Sequence, residues 1–79
     1  MSRSDLAPLI VAALRQHGGK AHISQVAKFI WDNHSPELLQ APNLIYSWQY
    51  DMRWVAMELR KTGVLAKPNA EAKGIWELA

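Results

Sequence analysis

The 79-residue chain carries nine Lys and Arg against seven Asp and Glu, no Cys, and 49% hydrophobic residues that include four Trp. That length excludes a second packed domain, the apolar content excludes a disordered chain, and the lack of Cys excludes disulfides, thiolate zinc sites and cysteine nucleophiles. The formal charge of +2 suits a polyanionic partner, yet four basic against three acidic residues precede Ser47 and five against four follow it, so a basic patch must be assembled by folding.

The opening MSRSDLAPLI has no apolar signal core, and no apolar run approaches the roughly 20 residues of a membrane span, so a cytoplasmic protein without membrane contact is expected. Leu6, Leu9, Ile10, Ala13 and Leu14 repeat at helical spacing. Ser4 or Asp5 is the candidate N-cap, and Gly18-Gly19 is the stop. Pro8 fits, because first-turn N–H groups have no helical acceptor to lose. His17 beside the two glycines is read as a helix-end residue near the negative pole of the dipole.

Lys20-Ala21-His22-Ile23 is too short for a helix and reads as a strand, followed by Ser24 as N-cap of a second helix whose Val26, Phe29 and Ile30 share one face. That helix is expected to end near Asn33 or His34. Ser35-Pro36-Glu37 then reads as the start of a separate short turn carrying Leu38 and Leu39, since a residue before Pro favours extended backbone. Ala41-Pro42-Asn43 is expected as a loop. From about Leu44 to Thr62 no Pro or Gly interrupts, and Ile45, Trp48, Met52, Val55, Ala56 and Leu59 form one stripe of a third helix capped by Gly63. Val64–Lys67 and Gly74–Leu78 read as two strands of a terminal hairpin around the polar stretch between them.

Three main helices, a short strand between the first two, and a C-terminal β-hairpin wing make an α+β chain. This is the element order of a winged helix-turn-helix, in which the third helix enters the DNA major groove and the wing grips nearby backbone. The run Trp54-Val55-Ala56-Met57-Glu58-Leu59-Arg60-Lys61-Thr62-Gly63-Val64-Leu65, followed by Lys73-Gly74-Ile75-Trp76-Glu77-Leu78, resembles the N-terminal domain of Mrr-type restriction endonucleases. The resemblance spans roughly Leu9 to Leu78 and is specific after Trp48. It implies a winged helix that brings a separate nuclease domain to modified DNA, with restriction as the setting. Nothing nuclease-like is present, so the expectation is a stand-alone reader or a fragment of a longer enzyme. Ser35 to Asn43 is longer than the turn of a simple helix-turn-helix.

Opposite its core stripe, helix three presents Ser47, Tyr50, Arg53, Trp54, Met57 and Lys61, with Gln49 and Arg60 on the flanks. Groove reading needs donors for base edges and cations for phosphate. Arg53 is the candidate for bidentate contact with guanine, Gln49 for adenine, and Tyr50 or Ser47 for phosphate or a base. Trp54 either joins that surface or packs under the wing or against helix two, and Met57 is expected partly buried. Lys61 extends the cationic side, and Lys67 and Lys73 flank the hairpin tip within reach of phosphates. Ser24-Gln25 with Lys28 one turn on would present N–H groups and a cation to phosphate, or simply cap a helix. One of Trp31 and Trp76 is expected exposed, as a dimer contact or packed on the loop from Ser35 to Asn43.

The three His share no ligand spacing and the carboxylates form no adjacent pair, so no metal, cofactor, small-molecule substrate or catalysis is expected. The expected partner is double-stranded DNA, with a homodimer or a linked nuclease domain as further possibilities. A protein-interaction or dimerisation domain burying Tyr50, Trp54, Met57 and Trp31 is the alternative.

Overall fold

The computed structural model describes residues 1–68, 71 and 73–79, so part of the expected hairpin tip, at positions 69, 70 and 72, lies outside the described residues. The chain forms a small α+β fold compatible with a winged helix. It contains a 3₁₀ turn at Arg3–Asp5, α1 at Leu6–Gln16, β1 at Lys20–His22, α2 at Ile23–Leu39, α3 at Trp48–Lys61 and β2 at Ile75–Glu77.

Local chemistry sets the first helix. Ser2 caps the 3₁₀ turn: its N–H donates to Asp5 Oδ2 at 2.7 Å, a bond that also holds the Asp5 carboxyl below its ordinary value. The expected Asp5 cap is absent in its usual form, because this carboxylate turns back to Ser2 and makes no cap bond to α1. Leu6, Ile10, Ala13 and Leu14 are buried on one face of α1, and the His17 ring meets the Ala13 carbonyl at 2.9 Å across the last turn.

The second helix departs from expectation at both ends. His22, not Ser24, is the N-cap: its Nδ1 accepts from the Ser24 N–H at 3.1 Å, while Gln25 Oε1 accepts from the His22 N–H at 2.9 Å. At the far end α2 runs through Ser35-Pro36 to Leu39 instead of stopping near Asn33. Pro36 removes one ladder bond, a cost that burial of Leu38 in the core offsets. The Pro36 and Leu38 carbonyls then accept from Gln40 and Ala41 N–H, closing the helix end.

The third helix begins at Trp48, four residues after the expected Leu44. Ala41 to Ser47 instead forms tight turns, with Leu44 and Ile45 N–H on the Ala41 carbonyl and Ser47 N–H on that of Leu44. These turns bury Ala41 and Leu44 in the core beneath the helices. Trp48, Met52, Val55 and Ala56 are buried as the stripe predicts, with Ile45 and Leu59 packed at its margins.

β1 and β2 pair antiparallel, with Lys20 opposite Glu77, Ala21 opposite Trp76 and His22 opposite Ile75. Of the expected terminal hairpin, only the second strand is regular. The arm from Val64 to Lys67 makes a single bridge, Leu65 to Leu78, supported by Ala66 N–H on the Glu77 carbonyl. Pro68 has no N–H with which to extend that ladder. The last strand therefore lies between β1 and this arm, and Trp76 is buried against Ala21. Among the described residues no helix is long and apolar enough to cross a membrane.

Candidate functional site

A furrow runs between α2 and α3, and the sequence explains its lining. At one end, α2 contributes Ser24, Ala27, Lys28 and Trp31, and α3 with the preceding turn contributes Ile45, Trp48 and Gln49, around a volume of about 490 Å³. At the other end, His22, Ile23, Ser24 and Ala27 face Gln49, Met52, Arg53 and Gly74 around about 310 Å³. Gln49 and Arg53 are one helical turn apart, so both look into the furrow from α3. Ala27 opposite them keeps the space open. None of the lining side chains is a carboxylate.

The base of the β ribbon closes the second end. The Ile23 N–H donates to the Gly74 carbonyl at 2.8 Å, which fastens the start of α2 to the entry of β2. Gly74 has φ +78°, and a Cβ there would lie 2.8 Å from His22 Nε2. Only glycine meets both conditions. Lys73, the next residue along, is exposed beside this end of the furrow.

The predicted interface residues divide into groups. Gln49, Arg53 and Lys28 share the furrow, and Tyr50 stands beside them at 70% exposure on the outer crest of α3. Among the described residues, neither the Gln49 amide nor the Arg53 guanidinium has a side-chain partner. Lys28 pairs with Asp32 one turn on, and Lys61 with Glu58 at 3.2 Å. Both lysine pairs are exposed, so they contribute little and leave the cations exchangeable. Lys67 is exposed on the arm leading to the ribbon. Gln25 is exposed, but its side-chain oxygen is engaged in the α2 cap.

Two predicted residues lie elsewhere. Ser47 is half-buried on the flank of α3 facing the 3₁₀ turn, where its hydroxyl donates to Asp51 at 2.8 Å with the Asn43 carbonyl also in range. It occupies the N-cap position of α3 without a side-chain cap bond and is not presented with Arg53. Trp54 is 41% exposed on that same flank, with the Arg3 guanidinium 4.6 Å above its ring. Its side of α3 faces the 3₁₀ turn, which packs on that helix. Arg3 Nε also donates to Asp51 Oδ1 at 3.1 Å. Asp51 is 5% exposed. Met57, expected partly buried, is 53% exposed, since it lies on the side of α3 away from the core stripe.

Sequence reasoning missed His22, which both caps α2 and lines the furrow, and the clasp of Arg3 on Asp51 and Trp54. Gln25 three residues after His22 is the capping-box signal that locates the first, although His is not a common cap residue. No local pattern announces the second, because Arg3 and Asp51 meet only through the packing of the 3₁₀ turn on α3.

Among the described residues no group of His, Asp and Glu is placed to hold a metal ion. Comparison of the chain with protein-family models, with curated proteins and with solved structures gave no match.

Proposed function

We propose that this chain is a winged-helix module that binds double-stranded DNA, with α3 in the major groove and the cations of the β ribbon on the backbone. The observation that carries the reading is the shared furrow. Arg53 and Gln49 stand without side-chain partners among the described residues, beside the start of α2 and the base of the ribbon, in a lining free of carboxylates. A duplex supplies what those groups lack: base-edge acceptors for the guanidinium and amide, and phosphates for Lys28, Lys67 and Lys73. The likeness to modified-DNA restriction enzymes adds a refinement, a preference for methylated duplex.

The test is a titration of labelled duplex, plain and methylated, at two salt concentrations against wild type and Arg53→Ala. Binding should weaken as salt rises, and loss of a bidentate base contact should cost about 1–3 kcal/mol on the preferred sequence. Absence of binding at low salt, or affinity indifferent to salt, rejects the module. Equal affinity for both duplexes removes only the refinement.

A second reading rests on the exposed crest of α3. Tyr50, Met57 and Trp54 on α3, and Tyr46 on the turn before it, are large side chains left exposed, which suits burial against another protein or a second copy of this chain. Sedimentation that gives a dimer lost on Tyr50→Ala, together with no DNA binding, favours it.

A further inference from the structure

The wider end of the furrow has an aromatic floor. Trp31 and Trp48 stack with 6.2 Å between ring centroids and 12° between planes. Trp48 is buried, whereas Trp31 remains 41% exposed and lines the furrow. The buried indole therefore fixes the orientation of its neighbour without enclosing it, so little side-chain freedom remains to be lost when a flat group settles there. Gln49 and Lys28 flank this floor, the first with both a donor and an acceptor, the second with a cation held only by an exposed ion pair.

Resting on the DNA reading above, we propose that this part of the furrow receives a single unpaired nucleobase of a DNA strand. The base stacks on Trp31, its edge meets the Gln49 amide, and its phosphate lies near Lys28. An exposed indole face is used fully only by another flat face. A paired base in a duplex shows the grooves its edges alone, and its faces become available only when it leaves the stack. The lining also fits a nucleotide better than a peptide anchor, which seeks a deep apolar pocket, because a cation and an amide border the ring and Asp32 holds that cation only through an exposed, exchangeable ion pair. Removing a base from a perfect duplex is costly and placing an already unpaired one is not, so the site discriminates by the state of the DNA.

The experiment compares a perfectly paired duplex with the same duplex carrying one unpaired adenosine in a central bulge. Affinities are measured by fluorescence anisotropy for wild type, Trp31→Ala, Trp31→Phe, Gln49→Ala and Arg53→Ala. Wild type should prefer the bulged duplex by roughly 5- to 150-fold, the span that stacking of one base on an aromatic side chain commonly carries. Trp31→Ala should bring that ratio close to one, Trp31→Phe should keep part of it, and Arg53→Ala should weaken both duplexes while leaving the ratio in place. Should Trp31→Ala fail to fold, the ratios for Trp31→Phe and Gln49→Ala decide, both expected below wild type. Equal wild-type affinity for two duplexes that both bind, or a ratio unmoved by every furrow variant, overturns the site while leaving the DNA reading intact. Failure of wild type to bind either duplex removes the DNA reading and this site together.

Discussion

Gly74→Ala tests how the ribbon is joined to α2. A residue with a side chain at φ +78° bears about 1–2 kcal/mol of backbone strain. Gly63, at φ +85° with open space around its Cβ position, bears the same strain and nothing more. At Gly74 the new methyl would also sit 2.8 Å from His22 Nε2, so the imidazole must move. That ring is not a loose side-chain end, because its Nδ1 holds the Ser24 N–H at 3.1 Å and the Ser24 hydroxyl at 2.8 Å. Displacing it removes the N-cap of α2, a loss of about 1 kcal/mol. Gly63→Ala should therefore cost about 1–2 kcal/mol and Gly74→Ala about 2–3 kcal/mol. In a domain of this size each kcal/mol lowers Tm by about 4–8 °C. In a His22→Ala background the cap and the obstructing ring are both gone, so Gly74→Ala should fall back to the cost of Gly63→Ala. Urea denaturation followed by circular dichroism measures all four variants and yields the coupling of about 1 kcal/mol between positions 22 and 74. Equal destabilisation by the two glycine variants, or strict additivity of His22→Ala and Gly74→Ala, would refute the reasoning.

Two further outcomes follow from packing. Leu38→Ala should destabilise by about 2–5 kcal/mol, while Leu39→Ala, at 62% exposure, should change stability by less than about 0.5 kcal/mol; similar effects at both positions would contradict the path of α2 beyond Pro36. Arg3→Ala should cost about 1–2 kcal/mol, since it leaves the buried Asp51 carboxylate with the Ser47 hydroxyl as its remaining partner, and should alter tryptophan fluorescence by uncovering Trp54. Asp51→Asn should soften that cost, and a neutral Arg3→Ala in urea denaturation would show the clasp to be idle.

Where burial alone decides, the sequence was a sufficient guide. The α1 face and the α3 stripe follow from helical spacing, because an apolar residue every third or fourth position has no other way to leave water. Errors arose where two local preferences competed with tertiary contacts. Ser35-Pro36 locally favours a break, but the position of Leu38 in the core keeps the helix going. The residues from Leu44 lack any helix breaker, yet Ala41 to Ser47 close as turns through the Ala41 and Leu44 carbonyls, a local pattern that helical spacing does not announce. The exposure of Tyr50 and Arg53 was legible from their position opposite the stripe, and that of Gln49 from its place on the flank. Ser47 and Trp54 were drawn away by Asp51 and Arg3, whose pairing joins residues 48 positions apart and has no local signature.

The central position of the last strand sets the order of assembly. Its residue Glu77 meets Lys20 of β1 only after the intervening chain has been laid down, and Leu78 N–H reaches the Gly19 carbonyl across the same gap. Closing so long a segment carries an entropic cost, which favours formation of this ribbon after the local helical turns. During synthesis, the Ala21 side of β1 stays without its strand partner until Trp76 has been made.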